Sequence, residues 1–563
     1  MDEFNLIDLL DSSGLPLKNR ISKEGYYNPR PEKAIAPAAD VLIPTAPLEQ
    51  GEQYRFHFDM SLCIGCQCCV VACNEQNNNP AEVNWRRVGE IEGGIYPDTK
   101  RYHLSMACNH CLDPSCLEGC PTDAYIKLEN GIVQHQADEC IGCGYCTWNC
   151  PYGVPQYNTE RNIVTKCDMC HSRLKEGQLP ACVAACPEGA IKIEKVNVAE
   201  WRENHAQANA PYVPDSGMTL STTRITLPEN VPDDLLRANR HRIEPEKPHT
   251  SLILMTVLTQ LAAGGFMTLW LLEFFARWVN FLKPLQGFLP YGAAGMLAMT
   301  GLALVTAVFH LGRPLHAYKA LRMWKRSWLS REVLFFALFS KAGAAYAGLE
   351  LARHFLGWNI PDNAMTLLGA AVVLTGLAGV YASAKIYMVP ARPAWNTIRT
   401  PLRFFLTGFI LGPLFALVVY SLYGVLQIHE PLSAAIKGPV FVFLAVSAIA
   451  GFFQMAVLLS RLFSMPWEEF NELHASSFLL LHRFKNLFVL RLAALVLGSF
   501  ICPFALFAAL QPDALQGGIF LGLGSVCFLF SLAGEFLGRY LFFVTVVPKN
   551  MPGSFFAAQG GSH

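Results

Sequence analysis

Cys140 to Pro151 reads C-I-G-C-G-Y-C-T-W-N-C-P, with cysteines at 140, 143, 146 and 150. Three thiolates packed this closely can wrap one face of an iron–sulfur cubane. The fourth points along the next turn toward a second cluster, and the proline ends that turn. Three further runs flank this one. Cys63, Cys66, Cys69 and Cys73 repeat its spacing. Cys108, Cys111, Cys116 and Cys120-Pro121 vary it, as do Cys167, Cys170, Cys182 and Cys186-Pro187. Only Cys502 and Cys527 of the 19 cysteines lie outside residues 63–186. In a chain of 563 residues, that clustering argues for metal over a disulfide framework. Zinc knuckles share the C-x2-C element, but the full spacing and the pairing of runs favour iron. Sixteen ligands, four to a cluster, make four [4Fe–4S] clusters. Cys68 is left over as a bystander, and His110 reads as a packing residue.

Short apolar strands alternate with the cysteine loops, at Tyr125–Leu128, Ile132–Gln134 and Ala190–Ile193. Strand, cluster loop, short helix and strand, given twice, form a ferredoxin-like α+β four-cluster domain over residues 54–195. Residues 1–53, rich in Pro and Ala near 30–48, read as an extended arm lying on a partner subunit. Residues 196–248 read as a polar linker, and 549–563 as a C-terminal tail.

From 249 to 548 the composition changes. Apolar helices are expected near 250–276, 287–310, 332–352, 365–388, 402–426, 438–460, 486–510 and 516–547. Each reaches the ~20 residues that cross a bilayer, and none shows the repeated polar face of a soluble helix. The fold class is therefore a ferredoxin-like α+β domain fused to an all-α transmembrane bundle of about eight helices.

The 44 basic and 44 acidic side chains balance, which gives no reason to expect nucleic acid as a partner. Their placement is uneven. If the first helix starts in the cytoplasm, the outer segments carry only Arg277, Lys283, Arg353 and Lys437. The inner segments carry Arg237, Arg240, Arg242 and Lys247, then Arg313, Lys319, Arg322, Lys325, Arg326 and Arg331. They also carry Lys385, Arg392, Arg399, Arg403, Arg461, Arg483, Lys485, Arg539 and Lys549. The positive-inside rule then puts both termini and the iron–sulfur domain on the cytoplasmic side of the inner membrane. The N-terminal M-D-E-F-N-L-I-D-L-L shows no basic and apolar export signal, in keeping with that side. Within the helices, Glu535 and Arg539 are spaced to pair on one face, and Lys341 and Glu350 are expected to face the bundle interior.

The loop F-H-L-G-R-P-L-H…S-W-L-S-R-E ends the second helix at His310 and opens the third at Glu332. A quinone needs a hydrogen-bond donor at its carbonyl and a group that exchanges a proton for each electron. A histidine and a carboxylate at a wet interface suit that role. Arg313 is a third candidate contact, with membrane-interface anchoring as its plainer use.

Residues 54–193 resemble the iron–sulfur subunit of the dimethyl sulfoxide reductase family of molybdenum oxidoreductases. The motifs are Cys63–Cys73, S-M-A-C-N-H-C-L-D-P-S-C-L-E-G-C-P at 105–121, C-I-G-C-G-Y-C-T-W-N-C-P-Y-G-V-P-Q-Y at 140–157 and T-K-C-D-M-C at 165–170. Residues 249–548 resemble the membrane anchor of the same complex, through H-L-G-R-P at 310–314, S-W-L-S-R-E at 327–332, A-R-P-A-W-N at 391–396 and G-E-F-L-G-R at 534–539. The two are usually separate polypeptides, so this one looks like a fusion. The resemblance implies nested ligand sets. They are Cys63, Cys66, Cys69 and Cys186; Cys167, Cys170, Cys182 and Cys73; Cys108, Cys111, Cys116 and Cys150; and Cys140, Cys143, Cys146 and Cys120. The last lies nearest the membrane. It implies quinol chemistry at His310 and Glu332, with ubiquinone or menaquinone, and an anchor without haem. It also implies a separate molybdenum-cofactor catalytic subunit, so that this chain carries electrons between that subunit and the quinone pool. The inward charge bias departs from export-linked members and matches quinone-reducing relatives such as sulfite dehydrogenases. The alternative function is an ion transporter with an iron–sulfur sensor domain.

Overall fold

A computed structural model describes residues 42–552, apart from 45, 233, 239–242, 428–433, 464–470 and 510–516. Most of the expected arm lies outside the described residues. So do the tail from 553, Arg240, Arg242, and the side chains of Lys283, Lys437 and Arg461.

The strand that precedes the first cysteine run, β1 (Glu52–Asp59), buries Phe56 and Phe58. After it come α1 (Cys68–Asn77), β2 (Arg87–Gly93), β3 (Lys100–Met106) and α2 (Ser115–Gly119). Between the second and third runs lie β4 (Tyr125–Lys127) and β5 (Val133–His135), within a residue or two of the expected strands. Next are α3 (Tyr145–Asn149), β6 (Gln156–Asn158), β7 (Ile163–Thr165), α4 (His171–Lys175), α5 (Ala181–Ala184), β8 (Ile191–Asn197) and α6 (Val198–Asn204). β1 pairs antiparallel with β8, setting Phe58 opposite Ile191. This register brings the loop after β1 to the loop before β8. β4 pairs antiparallel with β5, which folds the second run back on the third.

Residues 196–248 are more than a linker. β9 (Arg224–Thr226) adds a parallel strand to β1. Trp201 is buried, and its Nε1 donates to the Ser221 carbonyl at 2.8 Å. Thr222 and Thr223 donate to the Asn109 carbonyl and side chain at 2.7 and 3.0 Å. These hydroxyls, which made the stretch look like a polar spacer, satisfy a backbone carbonyl and a side chain of the second cysteine loop instead.

Among the described residues, eight helices are long and apolar enough to cross a membrane, in the eight places expected. They begin with α7 (Thr250–Phe275), α8 (Leu289–Val308), α9 (Trp328–Phe355) and α10 (Asp362–Tyr387), followed by α11 (Arg399–Gln427) and α12 (Ala434–Phe463). After the short α13 (Glu472–Phe478), the seventh crossing is built from α14 (Lys485–Val496) and α15 (Cys502–Ala509), and the eighth is α16 (Gly517–Val544). The seventh is not the continuous helix expected. A π turn at Leu497–Ile501 divides it, where Gly498 meets α16 so closely that a Cβ would stand 2.3 Å from Ser531 Oγ. α7 is the enclosed centre of the bundle. A Cβ on Gly264 would lie 2.1 Å from the Gly408 carbonyl of α11, a crossing that only small residues permit.

Two expectations inside the bundle fail. Lys341 is exposed on the outer face of α9, because Phe336, Phe339, Gly343, Tyr346, Ala347 and Glu350 occupy the inner face. Glu535 and Arg539 do not pair with each other. Glu535 takes hydrogen bonds from Arg491 at 2.5 Å and Thr407 at 2.6 Å, while Arg539 donates to Gln260 at 2.8 Å. A buried charge seeks the partner with the best geometry, and here each finds it on another helix.

The hairpin between α8 and α9 joins the two halves. Arg313 N donates to the Ile141 carbonyl at 3.0 Å, and Gly312 N to the Gly142 carbonyl at 3.4 Å. Met323 N and Ser330 Oγ both donate to the Pro121 carbonyl at 3.3 Å, and Ser327 Oγ donates to Gly119 at 2.7 Å. Lys319 bonds Glu139 at 3.1 Å, Arg322 pairs with the same carboxylate, and Arg326 meets Asp123 at 2.9 Å. Gly312 sits so close that a Cβ would stand 2.1 Å from the Asn162 carbonyl, and Gly142 has φ +70. Backbone thus touches backbone. Gly312→Ala is expected to loosen this docking by about 1–3 kcal/mol, the usual cost of overpacking. Limited proteolysis of the hairpin between α8 and α9 would be faster in Gly312→Ala than in the unaltered chain.

Candidate functional site

The four cysteine runs share one local device. Two residues after the first cysteine of each, the backbone turns left-handed, at Gly65 (φ 72), His110 (φ 44), Gly142 (φ 70) and Met169 (φ 60). This turn aims an amide at the thiol two residues back. His110 N, Gly142 N and Met169 N lie 3.5, 3.4 and 3.3 Å from the sulfurs of Cys108, Cys140 and Cys167. Gly65 serves Cys63 in the same way. Such N–H···S bonds favour the thiolate form that binds metal.

The fold brings cysteines of different runs together. One site is lined by Cys63, Cys66, Cys69 and Cys186. Another is lined by Cys108, Cys111, Cys116 and Cys150. Burial, then the neighbouring Cys182, raises the Cys73 thiol to about 12, with Cys170 adding to the effect. Burial, then Cys120 and Cys140, raises Cys143 to about 12. Among the described residues, no three His, Cys, Asp or Glu side chains converge as one bare metal ion would require. Sites lined by four sulfurs from two runs suit a group with sulfur at its corners. Cys68 is exposed and lines neither. His110 is buried, and its Nδ1 accepts from Val133 N at 3.1 Å, as a packing residue does.

Two buried cations, which the sequence did not single out, lie among these sulfurs. Burial opposes the charge of Arg86, but Cys182, Cys69, Cys167 and Cys73 outweigh it and strengthen its hold on the proton. Its Nη1 donates to Ser105, while Nε and Nη2 have no partner in the chain. Those orphaned donors fit a cluster whose sulfides accept hydrogen bonds. Lys166 is likewise buried and held protonated by Cys108, Cys116 and Cys167. Its only hint in the sequence is its place in T-K-C-D-M-C.

On the membrane side, Trp148, two residues past Cys146, enters the inner ends of the helices. Its ring lies 5.5 Å from His249, 5.5 Å from Trp395 and 5.6 Å from Tyr387. Glu332 is 4 % exposed, and its Oε1 has no hydrogen-bond partner. It stands within electrostatic reach of Tyr145 and Tyr387. The His310 imidazole bonds the Ala307 carbonyl through Nδ1, and burial, despite that bond, brings it down to about 4. It is held neutral, within reach of His249. No hydrogen bond joins His310 to Glu332 among the described residues, yet both border the aromatic group around Trp148. Arg313 turns elsewhere, donating through Nη1 to the Ala137 carbonyl at 2.8 Å.

Comparison with known proteins agrees with this division. Residues 99–196 match the 4Fe-4S dicluster domain family, and residues 246–544 match the DMSO reductase anchor subunit (DmsC) family. A probable anaerobic dimethyl sulfoxide reductase component, YnfG of Escherichia coli, is 43 % identical over 161 residues, 27 % of this chain and 78 % of the relative. A component of the anaerobic dimethyl sulfoxide reductase of Haemophilus influenzae is 40 % identical over 172 residues, 29 % of this chain and 84 % of that protein. A formate dehydrogenase iron-sulfur subunit of Haemophilus influenzae is 40 % identical over 152 residues, 24 % of this chain and 49 % of the subunit. The protein belongs to the DMSO reductase anchor subunit family and carries the family's iron–sulfur partner at its own N-terminus, as a multi-pass electron-transfer and membrane-anchor protein.

Proposed function

We propose that four [4Fe–4S] clusters in this chain pass single electrons between a separate molybdenum-cofactor catalytic subunit and quinone in the inner membrane. The observation that carries this reading is the docking of the third cysteine run on the hairpin that ends in Glu332. That docking supports a cluster held by Cys120, Cys140, Cys143 and Cys146 at the membrane boundary, beside the groups suited to quinone. The remaining sets are Cys63, Cys66, Cys69 and Cys186; Cys73, Cys167, Cys170 and Cys182; and Cys108, Cys111, Cys116 and Cys150. Support comes from the two sulfur-lined sites, the β1–β8 and β4–β5 pairings, and the four left-handed turns.

Bound clusters supply one-electron steps, and quinol supplies two electrons and two protons. Glu332, buried and without a partner at Oε1, takes a proton as quinol is oxidised. Neutral His310, with its Nδ1–H given to the Ala307 carbonyl, leaves Nε2 to accept a hydrogen bond, and then the second proton, from the other quinol hydroxyl. Arg313, committed to Ala137, holds the hairpin rather than the substrate. The catalytic site is assigned to a partner subunit, as in complexes where iron–sulfur and anchor subunits accompany one. The inward bias of basic residues supports a cytoplasmic iron–sulfur domain. That bias also favours a second reading of direction, from a cytoplasmic substrate into quinone. Thiol labelling of cluster-depleted protein that reached Cys63–Cys186 only from the periplasmic side would reverse the orientation.

Quantitative electron paramagnetic resonance of fully reduced protein should integrate to four [4Fe–4S] spins, and a zinc-rich, iron-poor preparation would refute the assignment. Glu332→Gln should lower quinol turnover by about 100-fold, a typical loss for a proton-transfer group, with cluster content unchanged. Turnover equal to wild type would make the anchor purely structural. Arg86→Gln should lower the potentials of the two clusters beside it, because the added electron loses a nearby positive charge. The shift should be on the order of 100 mV, from a unit charge ~6 Å away at an effective dielectric of ~20. Redox titration of the cluster signals measures it.

A further inference from the structure

The hairpin between α8 and α9 has a second set of cations that its docking does not use. Lys319, Arg322 and Arg326 are spent on Glu139 and Asp123. Lys325 lies over the Trp324 ring at 5.8 Å. Arg331 and Lys385 lie over one indole, that of Trp328, at 4.4 and 5.5 Å. Arg331 donates to the carbonyls of Trp324 and Lys325 at 3.0 and 2.6 Å, which ties the three cations to one turn. Among the described residues, none of the three has a carboxylate partner. Like charges gathered this way repel unless an anion lies between them.

The surroundings say what kind of anion. Arg331 opens α9 and Lys385 closes α10, so both stand at the membrane's edge. Tyr381, one turn deeper on α10 and 45 % exposed, meets Trp328 edge-on at 5.9 Å. On the same hairpin Leu315, Tyr318 and Trp324 are 92, 67 and 49 % exposed. Exposed aromatic rings beside cations mark the depth of lipid headgroups. We propose that Lys325, Arg331 and Lys385 bind the phosphodiester of an anionic phospholipid, with its acyl chains running down α10 past Tyr381. The lipid would neutralise the outer face of the hairpin whose inner face grips the iron–sulfur domain.

Native mass spectrometry of the full chain, given phosphatidylglycerol and phosphatidylcholine in equal amount, tests this. Wild type should retain phosphatidylglycerol preferentially, and inorganic phosphate should not displace it. K325Q/K385Q should cut the preference by about fivefold for each lysine removed. R322Q/R326Q, on the other face of the hairpin, should keep it. Four results would overturn the proposal. They are no preference in wild type, preference intact in K325Q/K385Q, equal loss in R322Q/R326Q, or displacement by inorganic phosphate, which would mean a free-anion site. The wild-type measurements stand even if a variant fails to fold.

Discussion

Everything the chain does depends on backbone meeting backbone between two unlike domains. The Ile141, Gly142 and Pro121 carbonyls belong to cysteine loops whose shape the sulfur sites dictate. Their donors, at Arg313, Gly312 and Met323, belong to a loop whose ends are pinned by membrane helices. Buried backbone groups must be paired. The hairpin satisfies cluster-loop carbonyls that have no strand to bond, and it gains a fixed position itself. Trp148 adds apolar area at the same seam. The distance from sulfur to membrane is therefore set by hydrogen bonds and one buried ring, not by a flexible tether.

A second constraint is charge. A reduced cluster with its four thiolates is strongly anionic, and burying that charge is costly. The domain answers with Arg86 and Lys166, each buried among sulfurs from more than one run. In the bundle the same logic gives Arg491 to Glu535, with Thr407 and Gln454 filling remaining positions around the carboxylate. Glu332 and Glu350 are the exceptions. Each has an oxygen without a partner, and each lies in a first-half helix.

What could be read from sequence followed how local the physics is. Cysteine spacing is local, so the four runs were legible, and the bilayer's thickness made eight crossings legible. How the first run meets the fourth was not, because it depends on β1 finding β8 across more than a hundred residues. Arg86 sits beside Arg87 in W-R-R at 85–87, and nothing in that stretch tells of its place among the sulfurs. Glu535 and Arg539 had the right spacing to pair, yet Arg491, 44 positions away, offered better geometry. Lys341 was misplaced because a helix this apolar all round gives no periodicity to say which face is inner. His310 and Glu332 were found as a pair of types. That they share an aromatic neighbourhood without touching is a tertiary fact.

Residues 196–226, woven into the β1 sheet and the second cysteine loop, belong to the same polypeptide as α7, so the two modules are covalently joined as well as docked. Where such modules are separate polypeptides, dilution or unequal synthesis can leave an anchor without its wire. Here their stoichiometry is one to one by construction. The second module arrives at an effective concentration set by the tether rather than by expression. Evolution can then weaken the individual contacts at the seam, tuning the electron path without risking the assembly.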